Sequence, residues 1–364
     1  MIMKSRLTTL CYIERDGQYL MLHRISKKND VNKDKWIGVG GHFEEGESPE
    51  DCLLREVKEE TGLTLTAYRF RGIITFSYED YPTEYMCLYT GDRFEGTLKE
   101  CEEGKLEWVD KDRIQDLNLW DGDLLFLELL RQEVPFFSLK LCYRRDGRWR
   151  RGVLNGQELE LFDICGQDGR PTGHVKERSM VHQDGDLHRT VHIWVVRKRA
   201  DGGLDVLLQK RSKDKDAYPG CYDVSSAGHV QAGDDFGSSA IRELREELGI
   251  TAREQDFRFI GFHEGYVENT FWGRPFRDWE VSAVYLYEKP VEKERLTLQE
   301  SEVEDVLYMD YEEALEGIRK GAFSNCIYPK EFQMIRDAME PGFDGEGVWV
   351  KEIIASGRQP ESLS

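Results

Sequence analysis

Glu56, Glu59 and Glu60 stand at i, i+3 and i+4, and Glu243, Glu246 and Glu247 repeat that spacing 187 positions later. On a helix, this spacing stacks three carboxylates on one face about one turn apart. Bare carboxylates so close repel one another. A hard divalent cation among them removes the repulsion, and Mg²⁺ takes a few carboxylates together with waters and phosphate oxygens. The expected chemistry is therefore metal-assisted attack on a phosphate. Glu56, Glu59, Glu60, Glu243, Glu246 and Glu247 form the metal set, with Mg²⁺ or Mn²⁺ as cofactor, and Glu59, Glu60, Glu246 and Glu247 are the catalytic candidates. Arg55 and Arg242, four positions before Glu59 and Glu246, can hold those carboxylates by i, i+4 pairs.

An isolated Glu-x-x-Glu-Glu reads more simply as a solvated helix face. Here the surroundings repeat as well: GHFEEGESPEDCLLREVKEETGL over 41–63 and GHVQAGDDFGSSAIRELREELGI over 228–250. Each has an entering glycine (Gly41, Gly228), an upstream acid (Glu47, Asp234), an Arg-Glu pair and a glycine suited to stop the helix. Asp234 is one methylene shorter than Glu47 and is expected to hold its loop less well. This pattern is that of the Nudix box, and the chain resembles a tandem Nudix hydrolase. The resemblance implies an α/β fold with two α/β/α sandwiches, each a mixed sheet flanked by helices.

The elements around the boxes repeat too. YLMLHR and LDVLLQKR are apolar strand-like runs closed by Arg24 and Arg211, again 187 apart, and both arginines are substrate-binding candidates. LEWVDKDRI and VLYMDYEEAL each read as a strand running into a helix. The stretch 139–154 reads as a hairpin about Asp146-Gly147, locally basic through Arg144, Arg145, Arg148, Arg150 and Arg151, which suits a phosphate contact or a solvated face. With the next turn at Asn155-Gly156, the domains are placed at 1–154 and 155–364.

A net charge of −20 argues against a protein that wraps a nucleic-acid polymer. The expected partner is a small nucleotide or diphosphate, since bound metal inverts the local field. Eight cysteines without a C-x-x-C pair argue against a zinc ribbon or disulfide framework. With no apolar stretch of membrane-spanning length and no signal-peptide core, a cytoplasmic location is expected and no membrane partner.

From about residue 4 to 154 the chain resembles Nudix enzymes that clear oxidised purine nucleoside triphosphates such as 8-oxo-dGTP. The carrying segments are KWIGVGGHFEEGE, GTLKECEEGKLEWV and LWDGDLLFL. The resemblance implies a metal-site or base role for Glu103 and purine contacts from Trp120, Asp121 and Asp123. It also implies cleavage between the α and β phosphates, giving a monophosphate and pyrophosphate. Two features depart from the family: Gly122 interrupts the acid pair, and Ile37 stands where the animal enzymes have a base-reading Asn.

From about residue 158 to 340 the chain is similar to the Nudix branch of isopentenyl-diphosphate isomerase, through LHRTVHIWVV, YPGCYDVSSAGHV and DWEVSAVYLY. That resemblance implies a second metal site of His188, His229, Asp278 and Glu280, with His182 a further match. Ala227 stands where the isomerase has its catalytic Cys and has no proton to give. With the box glutamates intact, a second hydrolase of unassigned substrate is expected; isomerase activity, or one domain acting as a non-catalytic regulatory module, are the alternatives. Lys210, Lys213 and Lys215 suit either a diphosphate or a solvated loop.

Overall fold

The computed structural model describes residues 5–26, 30–271 and 273–354. They divide into two compact units: one runs to Leu161 and includes His174–Glu177, the other comprises Phe162–Gly173 and everything from Arg178. The expected junction at 154/155 falls inside the first unit. Asn155 and Gly156, with φ of 50° and 84°, make a tight turn that sends the chain back as one more strand, so the unit closes several residues later than expected.

The first unit contains β1 (Arg6–Arg15), β2 (Gln18–Arg24), β3 (Trp36–Ile37), α1 (Pro49–Thr61), β4 (Thr64–Tyr78), β5 (Glu84–Glu95), β6 (Gly104–Asp110), α2 (Asp121–Arg131), β7 (Phe137–Tyr143), β8 (Trp149–Leu154) and β9 (Gln157–Glu158). The strands form one mixed sheet ordered β3-β2-β1-β5-β4-β7-β8-β9, with β6 also on β2; β1/β5 and β4/β7 are its parallel pairs. Alternation along β1 sends Cys11 and Ile13 to the α1 side, where they pack with Leu53 and Val57. Tyr12 faces the other way, against Phe126 of α2. A helix on each face completes the sandwich. Three of the arginines of the β7–β8 hairpin pair with acids of the same unit, Arg145 with Asp80, Arg150 with Glu79 and Arg151 with Glu158.

After a short β10 (Leu161–Cys165) and β11 (Pro171–Glu177) pair, the second unit comprises α3 (Arg178–Asp184), β12 (Leu187–Lys198), β13 (Leu204–Arg211), β14 (Tyr222–Asp223), β15 (Ser226–His229), α4 (Phe236–Leu248), β16 (Phe257–Phe271), β17 (Arg274–Tyr287), β18 (Val303–Asp310), α5 (Tyr311–Lys320), α6 (Pro329–Ala338) and β19 (Trp349–Ile354). Its sheet runs β14-β13-β12-β17-β16-β19, with β15 on β12 and β18 on β13. Val191, Ile193 and Val195 of β12 pack on Ala240, Leu244 and Leu248 of α4. The alternate positions Trp194 and Val196 pack under α5 and α6. Both units are thus mixed sheets flanked by helices, as expected.

Candidate active sites

Each box helix begins and ends where its sequence requires. Ser48 caps α1 in a reciprocal box with Asp51, Pro49 takes the first turn, and Gly62 closes the helix at φ 77°. Asp235 caps α4 by accepting the Ser238 N–H at 2.8 Å, and Gly249 closes it at φ 70°. So held, each helix turns its glutamates toward the glycine loop that precedes it.

In the first unit a Cβ at Gly41 would overlap the Glu56 carboxyl, so glycine is what admits Glu56 against the backbone. Gly40 donates its N–H to Glu60 Oε2 at 2.8 Å. Arg55 binds Glu47 at 2.6 Å, Glu56 at 2.7 Å and Glu59 at 3.3 Å, and donates to the His42 carbonyl at 3.0 Å. One guanidinium thus ties the upstream acid, two box glutamates and the entering loop. Its hydrogen bonds pull the Glu47 carboxyl down to about 2. Burial raises Glu60 to about 8, and the Glu103 and Glu56 charges add to the rise. A carboxyl that resists ionising beside two other acids is what a cation site shows before its cation arrives. Glu103 pairs with Arg24, which also binds Asp30 at 2.7 Å.

The second unit repeats the core of this arrangement. A Cβ at Gly228 would overlap the Glu243 carboxyl. Ala227 donates its N–H to Glu247 at 3.1 Å, and burial followed by the Glu243 charge raises Glu247 to about 8. Arg242 binds Glu243 at 2.6 Å, Glu246 at 3.5 Å and the His229 carbonyl at 2.9 Å. The support expected from Asp234 is corrected: among the described residues its carboxylate makes no contact with Arg242, whose buried Nε has no partner. The shorter side chain does not span the gap that Glu47 spans. The loop is held instead by buried Asp163, which accepts from the Gly233 N–H at 3.0 Å and from Arg189 at 2.9 Å.

Strand register exposes one acid that motif reading missed. Arg24 pairs with Gly104 across β2/β6, and Arg211 pairs with Val303 across β13/β18. Glu103 and Glu302 therefore occupy corresponding positions, one residue before the partner. Glu302 binds Lys215, while Lys210 and Lys213 reach Glu304 at 3.1 and 3.7 Å. Arg211 binds Asp223 at 2.7 Å and the Ala217 carbonyl, close enough to Glu247 to feel its charge.

The purine-contact candidates are placed unequally. Trp120 is 6% exposed, packed against Phe76, Tyr78 and Tyr143, with its indole N–H on Asn32 at 2.8 Å. Asp121 accepts the Val175 N–H at 2.9 Å and lies 3.0 Å from His174. Asp123 is buried; burial lifts its carboxyl to about 8 although Lys35 opposes the shift. The nearby Tyr12 hydroxyl is buried beside Asp123 and the Gly38 backbone. Ile37 packs with the core under α1.

His182 of α3, His188 of β12 and His229 of β15 converge with Asp278 and Glu280 of β17. Ligand atoms of the three histidines, and separately those of His188, Asp278 and Glu280, lie within 4.8 Å of one another. Phe162 stacks on His188 and His229 at 5.4 and 4.4 Å. Among the described residues, the Nε2 atoms of all three histidines and Oδ1 of Asp278 are buried without a hydrogen-bond partner. Burial lowers His182 to about 4 and depresses His188 and His229 as well, so the rings are neutral donors. Inward-facing lone pairs with nothing to bind fit a cation of nitrogen and oxygen preference. All eight cysteines are free, and Cys221 is engaged with Ser324 at 3.1 Å. Among the described residues, no helix is long and apolar enough to cross a membrane.

The comparisons agree with this geometry. A family profile described as NUDIX domain matches residues 4–130 and again 186–327. The chain is 43% identical over 157 residues to Nudix hydrolase 3 of Arabidopsis thaliana, a match covering 42% of this chain and 20% of that protein. It is 36% identical over 156 residues to an uncharacterised Nudix hydrolase of Clostridium acetobutylicum, covering 43% and 72%. To the oxidized purine nucleoside triphosphate hydrolase of Danio rerio it is 33% identical over 136 residues, covering 37% and 85%. The chain thus spans a fifth of the length of the Arabidopsis relative. Two matched regions covering most of the chain, each with its glutamate helix against a glycine loop, place it in the Nudix hydrolase family as a protein with two Nudix domains.

Proposed function

We propose that both units hydrolyse a phosphoanhydride, the first acting on purine nucleoside triphosphates, oxidised ones included, to give a monophosphate and pyrophosphate. The observation that carries this reading is the pair of matching box sites, in which Glu60 and Glu247 are buried against backbone N–H donors beside further acids. In the first unit Glu56, Glu59 and Glu60 would hold Mg²⁺ or Mn²⁺, with Glu103 at its edge; in the second, Glu243, Glu246 and Glu247, with Glu302 in the corresponding place. When bound, the cation neutralises phosphate charge and lowers the pKa of a water. Arg55 and Arg242 hold and aim the glutamates. Arg24 and Arg211, each anchored beside a box glutamate, set the positive rim of the phosphate pocket.

Asp123 supports a polar base contact in the first unit: a carboxyl that stays protonated near neutral pH can donate to a purine acceptor. Trp120 supports the wall of that contact from within an aromatic cluster. The naming of the zebrafish relative for oxidized purine triphosphates points to the same substrate class. In the second unit His182, His188, His229, Asp278 and Glu280 would hold a second cation, a site like that of the isopentenyl-diphosphate isomerase branch. Ala227 and the intact box favour hydrolysis over isomerisation there.

The test is release of pyrophosphate and phosphate, with Mg²⁺ or Mn²⁺, over ordinary and oxidised nucleoside triphosphates, nucleotide sugars and prenyl diphosphates. Turnover of an oxidised purine triphosphate that disappears with Glu59→Gln and survives Glu246→Gln supports the assignment. Equal turnover in both variants and wild type would reject it.

A further inference from the structure

Along β12 the even positions His188, Thr190, His192 and Trp194 share one face, and His188 lies opposite Glu280 in the parallel register with β17. The two oxygens of Glu280 look in different directions. Oε1 stands 3.9 Å from Nε2 of both His188 and His229, inside the histidine cluster. Oε2 stands 3.8 Å from Nε2 of His192, outside it. The other ring nitrogen of His192, Nδ1, is 2.8 Å from Oε2 of Glu331 on α6, and Glu331 Oε1 accepts the Trp194 indole N–H at 2.9 Å. Glu331 is 2% exposed. His263 stands behind it, 3.5 Å from Glu331 and 3.7 Å from Glu352.

A buried glutamate under a helix is an expensive way to fill a core, because well-packed apolar residues of similar volume serve as well or better. What Glu331 does that an apolar side chain does not is fix the His192 ring: a carboxylate on Nδ1 sets which edge of the ring turns to Glu280. Ligating carboxylates are commonly oriented by such outer hydrogen bonds. We propose that Glu331 and His192 are positioning residues for Glu280, holding its Oε2 so that Oε1 faces the cation bound by His188 and His229. The inference rests on the cation-site reading of the histidine cluster.

The experiment is a Co²⁺ titration of the full chain, read by visible absorption, on wild type, His188→Ala, Glu331→Gln and His192→Gln. Thermal melting of each variant is recorded alongside. Wild type should show a Co²⁺ band that His188→Ala abolishes. Glu331→Gln, which keeps an oxygen for Trp194, and His192→Gln should each weaken binding at that band by about 10–100-fold and move its wavelength while the melting temperature holds. An unchanged band and affinity in both variants, against loss in His188→Ala, overturns the positioning role alone. Identical titrations of wild type and His188→Ala overturn the cation reading and this inference with it. Unfolding of both variants overturns the inference too, because the pair would then serve the core.

Discussion

Glu47 and Arg55 form a two-pronged ion pair, 2.6 Å to Nε and 2.9 Å to a terminal nitrogen, that has no counterpart between Asp234 and Arg242. The same guanidinium also carries Glu56 and Glu59, so in the first unit the loop and the glutamates move as one body. In the second unit the loop is tied through Asp163 and Arg189, and the glutamates are tied separately through Arg242.

Glu47→Gln should therefore lower first-unit turnover by about tenfold or more, as misaligned groups do, while Asp234→Asn leaves second-unit turnover within about twofold. Asp163→Asn should be the damaging change there. It leaves Arg189 without its buried counter-charge, and the expected destabilisation is about 3 kcal/mol, read by chemical denaturation. A harmless Asp163→Asn together with a damaging Asp234→Asn would reverse the assignment of roles.

Glu59 and Glu246 are the most exposed members of their triads; Glu59 is held by its i, i+4 contact to Arg55, and Glu246 by Arg242 and Arg245, each at 3.5 Å. Each is free to serve a water or a cation without breaking the fold. Glu59→Gln and Glu246→Gln should each reduce the turnover of their own unit by about 10²–10⁴-fold with unchanged melting, and neither should affect the other unit. Steady-state kinetics on a substrate of each unit checks this.

The glycine approach yields a sharper test of geometry. In Gly41→Ala or Gly228→Ala the added methyl overlaps the Glu56 or Glu243 carboxyl, which must move by about an ångström. The expected loss is about 10²-fold in activity at fixed Mg²⁺, partly restored at higher metal concentration. Wild-type activity in both variants would mean that neither carboxylate is used where it stands.

Much of this arrangement was legible in the residues themselves. The extent of α1 follows from Ser48-Pro49 and Gly62, and that of α4 from Asp235 and Gly249, because caps act within one turn. The box contacts follow from helical spacing for the same reason. What could not be read is what tertiary register decides. Asp163 meets Gly233 from 70 positions away, and Glu302 is recognised as the counterpart of Glu103 only by counting along paired strands. Asp121 carries a local motif yet is occupied by Val175, a backbone group no pattern announces. His192 and Glu331, 139 residues apart, look in sequence like an ordinary strand position and an ordinary helix acid.

The buried box carboxyls set a direction for pH. Glu60 and Glu247 rise from 4.5 to about 8 on folding, so without metal the folded chain holds protons there that the unfolded chain releases. A raised acid stabilises the fold only while it stays protonated. These two therefore weaken the metal-free protein progressively as pH climbs from about 4.5 to 8. Divalent cation binding requires the ionised form, so affinity should increase over the same window and level off above pH 8, with protons released on binding below it. The upward shift of melting temperature caused by Mg²⁺ should accordingly be larger at pH 9 than at pH 6.5. The double variant Glu60→Gln, Glu247→Gln should raise metal-free stability at pH 9 and lose most of the Mg²⁺ shift. A Mg²⁺ shift that is equal at both pH values, or that shrinks as pH rises, would separate the cation from these two carboxylates.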